Sequence, residues 1–147
     1  MQTKGVIGLK RRNVSELKTL KCRQYLNNMI TASAEIEEQR TELAFWSERI
    51  RGKEGTRIEP EIRRREEELT LRINDMVEKK LAMTRMIDAI TDPIARTILR
   101  SRYVFGQKWS CIAENCGGMS ERNARYIHDN ALFDFEEIFS HTVGTGA

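Results

Sequence analysis

The chain has 147 residues, 39 % of them apolar and 32 % charged, with a net charge of +3. That balance suits long solvent-exposed helices better than a large globular core, and the charge alone is too mild to argue for nucleic acid. Three cysteines without a C-x-x-C pair argue against a disulfide-stapled secreted domain, and no apolar run approaches the roughly 20 residues of a membrane span.

Only two prolines occur, Pro60 and Pro93, and no stretch alternates apolar and polar residues, so an all-α chain is expected. Residues 1–13 (MQTKGVIGLKRRN) have no period and read as a basic flexible tail. From residue 14 to 90 the pattern predicts a long antiparallel helical hairpin serving oligomerisation. Its first helix runs from Ser15 to about Arg51 on a coiled-coil-like register, with a positions Cys22, Met29, Ile36, Leu43 and Ile50 and d positions Tyr25, Ala32, Gln39 and Trp46. Gly52 and Gly55 break the helix, and Pro60 suits the first turn of the next. The stripe resumes to Ile90 through Ile62, Leu69, Ile73, Met76, Met83 and Ile87, with Val77 and Leu81 widening it. Each stripe is wider than one partner helix needs, which leaves room for the C-terminal helices or a second copy of the chain. A homo-oligomer, with a dimer favoured, is the expectation.

Three or four shorter helices are expected over 91–139. Asp92-Pro93 starts the first of these as N-cap and first helical residue, with Ile94, Ile98, Leu99, Tyr103 and Val104 spaced to bury one face. Gly106 closes it, and a short helix follows from Trp109 to Asn115. Gly117-Gly118 makes a turn. Ser120 caps a last helix to about Phe139, with Ala124, Ile127, His128, Ala131, Leu132, Phe135 and Ile138 inward. Residues 140–147 read as a second flexible tail.

The charge is unevenly spread. Residues 35–91 are well mixed, whereas residues 96–126 carry Arg96, Arg100, Arg102, Lys108, Arg122 and Arg125 against Glu114 and Glu121. A basic helix-turn-helix is what a phosphate-facing surface requires. Small Ala113 permits a close helix crossing, a glycine in the turn supplies positive φ, and the Ser120 cap leaves free N–H groups at a helix N-terminus. The outer face of the last helix then carries Glu121, Arg122, Asn123, Arg125, Tyr126 and Asp129. Arginine can fork to guanine and asparagine can pair with adenine, while other groups hold phosphate.

The segment "DPIARTILRSRYVFGQKWSCIAENCGGMSERNARYIHDNAL", residues 92–132, resembles region 4 of sigma-70-type factors. The matching residues are Arg102-Tyr103, Gly106, Trp109, Ile112-Ala113, Gly118-Met119-Ser120 and Ala131-Leu132. More closely, the whole chain is similar to phage ArpU/RinA-type transcriptional regulators, strongly over 92–132 and loosely over 15–90, with Tyr25-Leu26, Ile36 and Leu43 through Arg51 matching their helical segment. The resemblance implies a phage or prophage regulator in the bacterial cytoplasm, an activator of late genes, reading the major groove of double-stranded DNA with host RNA polymerase as a further candidate partner. Its implied DNA-binding residues are Arg102, Lys108, Trp109, Ser120, Glu121, Arg122, Asn123, Arg125 and Tyr126. Gly117 is an extra turn glycine relative to sigma factors, and Asn130 stands where they often have arginine. Both departures bear on the DNA register.

The chief rival is a phage small terminase subunit, which joins a helix-turn-helix to an oligomerising hairpin and forms rings on packaging-site DNA. A module that binds other proteins through the same fold is a third reading. No catalytic site, cofactor or metal is expected: Cys111 and Cys116, with His128 and His141, lack the spacing of a zinc knuckle, and no phosphate-cradling glycine loop is present.

Overall fold

A computed structural model describes residues 17–53 and 57–145, so the predicted basic tail 1–13 lies outside the described residues. All regular elements among the described residues are helices: α1 (Leu20–Arg49), α2 (Glu59–Asp88), α3 (Pro93–Leu99), a π-helical turn (Arg100–Val104), α4 (Trp109–Asn115) and α5 (Glu121–Thr145). None of them is long and apolar enough to cross a membrane.

The long helices pack against each other as the expected hairpin. Each has 30 residues, a length of about 45 Å at 1.5 Å per residue. The a positions Cys22, Met29, Ile36 and Leu43 are buried, and Ile50 is half-buried. The d row is shallower: Tyr25, Ala32 and Gln39 are half-buried and Trp46 is exposed. Leu26, which lay outside the predicted stripe, is fully buried. From α2, Ile62, Leu69, Met76, Met83, Met86, Ile87 and Ile90 are buried, with Ile73 half-buried. Val77 and Leu81 do not widen this seam, being 50 % and 51 % exposed. They lie more than a quarter of a turn from the Met76–Met83 line and point to solvent. Gly52 ends α1's turn at φ +79°, where a side chain would be strained.

The chain forms two compact units. One is Met29–Ala82, the outer hairpin. The other joins the described residues before Met29 to those from Met83 onward. This differs from the division expected at residue 90. The start of α1 and the end of α2 pack with the C-terminal helices instead, because Cys22, Leu26, Met83 and Ile87 are all fully buried there beside Ile98, Leu99, Ile112, Leu132 and Phe135. Backbone and side chain both tie α1 to α5: the Cys22 amide donates to Glu136 Oε2 at 3.2 Å, and the Cys22 thiol donates toward Leu132 O at 3.8 Å. Burial and the Glu136 carboxylate push that thiol up to about 12, so it stays neutral. Tyr25, Phe135 and Phe139 form an aromatic cluster, with centroids 5.0–6.5 Å apart.

Asp92 caps α3 as expected, accepting from the Ile94 amide at 3.0 Å. Arg96 reaches back to donate to the carbonyls of Ile90 and Thr91 at 2.6 and 2.9 Å, satisfying groups that the end of α2 leaves open. Arg100 pairs with Asp88. Two inward assignments need correction. Ile94, in the first turn of α3, is 49 % exposed, and Val104 is only half-buried. The π turn accounts for the second: the Phe105 amide bonds to Arg100 O, five residues back, so the helix is wider there and its phase slips. Ile127 and Ile138 are half-buried, while Phe139, the expected last residue, is buried. Nor does the chain fray at 140: α5 continues to Thr145, with Ser140 donating to Glu136 Oε1 at 3.0 Å.

Candidate nucleic-acid interface

The turn between α4 and α5 is built by backbone bonds. Gly117 and Gly118 both have positive φ (+83° and +74°). The Gly118 amide bonds to Glu114 O and the Met119 amide to Ala113 O, each at 3.1 Å, reversing the chain without side-chain help. Ala113 is 3 % exposed and Ala124 fully buried, so small residues line this corner of both helices. Ser120 then caps α5: its Oγ accepts from the Asn123 amide at 3.1 Å. The remaining first-turn N–H groups stay at the positive end of the helix dipole.

Ser120, Glu121, Arg122, Asn123, Arg125 and Tyr126 are all exposed, Tyr126 by 66 %, and Lys108 is exposed at the cap position before α4. Arg102 and Trp109 are half-buried. All nine expected residues therefore come from one compact unit, contributed by the π turn, the start of α4 and the start of α5. Trp109 sets two of the cations: the guanidinium carbons of Arg102 and Arg125 lie 5.2 and 5.5 Å from its ring centroid. Arg102 also donates to Gln107 O at 3.1 Å. Among the described residues, Arg122 and Arg125 have no ion-pair partner, so their charge is available to a ligand.

Beneath this surface lies a polar chain that sequence reading resolved only as a packed histidine. Tyr103 Oη is 2.6 Å from His128 Nε2, His128 Nδ1 is 3.0 Å from Asp129 Oδ1, and Asp129 faces Arg23 at 3.8 Å. A carboxylate can only accept, so Nδ1 carries the proton, and Nε2 of the neutral ring accepts a hydrogen bond from the Tyr103 hydroxyl. The edge of Trp109 meets the same imidazole, centroids 5.0 Å apart at 82°. Nothing in the spacing of Tyr103 and His128 marks them as partners, because the π turn sets the phase that joins them.

Burial lowers the His128 pKa, with Asp129 opposing the shift. An unfolded histidine titrates near 6.5, so below about that pH the unfolded chain takes up a proton that the folded chain resists. The stabilisation is thus fully present above about pH 6.5 and declines as pH falls toward 5. Urea midpoints at the two ends of that window should differ for the wild type, and the difference should shrink in His128→Gln. An undiminished difference would show that other groups carry it. Burial also pushes the Tyr103 hydroxyl up to about 12, so it donates throughout this range.

No group of three or more metal-binding side chains occurs among the described residues. Cys111 is exposed on α4 and Cys116 half-buried in the turn, both as free thiols. No family model, curated protein or solved structure matches the chain.

Proposed function

We propose that this protein is a sequence-specific duplex DNA-binding regulator, docking the start of α5 in the major groove. One observation carries the reading: the first two turns of a Ser-capped helix, set by a tight glycine turn, present Arg122, Asn123, Arg125 and Tyr126 to solvent beside Lys108 and Arg102. Forked and amide side chains on one exposed face match the donor and acceptor code of base edges, and the flanking cations suit phosphates. The resemblance of residues 92–132 to sigma region 4 supports the same docking. The likeness of the whole chain to phage ArpU/RinA-type regulators supports a late-gene activator in a bacterial host, with RNA polymerase as a partner. As a dimer, it would set two such helices on half-sites about 34 Å apart or a multiple of it.

The test is selection of bound sequences from random duplex DNA, followed by titration of the selected site at several salt concentrations. A defined motif should emerge, and log affinity should fall linearly with log salt. No measurable binding at low salt would overturn the reading. Lys108→Ala and Arg125→Ala should weaken binding to selected and random duplexes alike, each reducing the salt slope by about 1. A loss confined to the selected sequence would move these residues from phosphate to base contact.

A further inference from the structure

The outer face of α2 is an eight-residue heptad seam that no helix among the described residues covers. It reads Arg64, Glu67, Leu71, Asn74, Glu78, Leu81, Arg85 and Asp88, at alternating steps of three and four residues, and all are exposed. Leu71 is 70 % and Leu81 51 % exposed, high values for leucines in the middle of a helix. Alternating three- and four-residue steps are the spacing of a coiled-coil contact line. This seam lies away from the buried Ile62–Leu69–Met76–Met83 row that faces α1.

The seam is also palindromic in chemistry about residue 76. Counting outward, Asn74 mirrors Glu78, Leu71 mirrors Leu81, Glu67 mirrors Arg85, and Arg64 mirrors Asp88. The geometry points to an interaction surface for a second copy of this chain, in which α2 pairs antiparallel with its symmetry mate across this seam. In an antiparallel pair, a positions meet d positions. Leu71 of each copy then lies on Leu81 of the other, Glu67 on Arg85, and Asn74 on Glu78, every layer occurring twice by the two-fold. Val77, 50 % exposed on the flank of the seam, falls beside the axis and meets its own counterpart.

Charge decides among the alternatives. A parallel pair in register would stack Arg64, Glu67, Glu78, Arg85 and Asp88 each on its own copy, five layers of like charge. Sliding the antiparallel pair one heptad either way sets Glu67 against Glu78, or Leu71 against Asp88. Among these, only the arrangement centred at 76 joins leucine to leucine and opposite charges in the Glu67–Arg85 and Arg64–Asp88 layers, with neutral Asn74 on Glu78. Neither Glu67 nor Arg85 has an ion-pair partner within the chain among the described residues, so both are available. The outermost layer contributes less, because Arg64 and Asp88 already face Glu61 and Arg100. Asp75 approaches its own copy near the axis, and Lys79 neutralises it within the chain at 2.9 Å.

This surface specifies the dimer named in the proposed function and does not depend on DNA binding. Sedimentation velocity of the full chain without DNA tests it. The wild type should sediment as a dimer. Glu67→Arg and Arg85→Glu each replace two attractive pairs with two repulsive ones, and each should weaken the dimer about ten- to a hundredfold. The double variant Glu67→Arg/Arg85→Glu restores opposite charges and should regain the wild-type dissociation constant. Circular dichroism confirms that each variant keeps its helices. A monomeric wild type, an oligomer indifferent to either single change, or a double variant as weak as the singles would overturn the surface while leaving the DNA reading to its own titration. Leu71→Lys supplies a second check, since it should give monomers with unchanged helicity; an intact dimer would also reject the seam.

Discussion

Phe135→Ala is expected to destabilise the unit that holds the C-terminal helices by about 3–5 kcal/mol. Phe135 is fully buried in α5, with Tyr25 stacked at 6.5 Å and Phe139 at 6.2 Å between ring centroids. Truncation removes the ring's transfer free energy and leaves a void that cannot close, because Leu26, Met83 and Leu132 around the core are already fully buried. Those residues come from α1, α2 and α5, so the loss reaches all three of these helices. Urea denaturation followed by circular dichroism measures it. A change below about 1 kcal/mol would mean that the core relaxes around the gap.

Arg122→Ala and Asn123→Ala should each reduce affinity for the selected duplex by about 1–3 kcal/mol, roughly 5- to 150-fold, with much smaller losses on random DNA. Both side chains are exposed, and Arg122 has no ion-pair partner among the described residues, so truncation removes a ligand contact without opening a core. Asn123 contributes to folding mainly through its amide, which the Ser120 cap binds whatever the side chain. Stability should therefore stay within about 0.5 kcal/mol of the wild type, separating recognition from folding. Wild-type affinity in both variants would reject this face as the reading surface.

Much of the fold was legible because it rests on local rules. Asp92-Pro93, Gly117-Gly118 and Ser120 each act through their own backbone geometry, and the helices begin and end where those residues dictate. The a row of α1 was legible for the same reason, since burial follows a fixed period. What escaped needed tertiary knowledge. Val77 and Leu81 are apolar and sit next to the seam, yet periodicity cannot say which side of a wide stripe the partner takes. The π turn at Arg100–Val104 has no sequence signature, so the half-burial of Val104 and the bond between Tyr103 and His128 were hidden. At the interface, the residue types of Arg122, Asn123 and Tyr126 were readable in advance, but the placement of Arg102 and Arg125 around Trp109 was not, because those three come from separate elements.

The end of α5 was expected near Phe139, yet the helix runs unbroken from Glu121 to Thr145. One side of its early turns faces solvent, while Ala124, His128, Leu132, Phe135 and Phe139 bury the other side along its length. A rod held along one side cannot swing its exposed face without breaking those contacts. The exposed end of α5 is therefore rigid before any ligand arrives, and a partner docking there loses little affinity to ordering this helix.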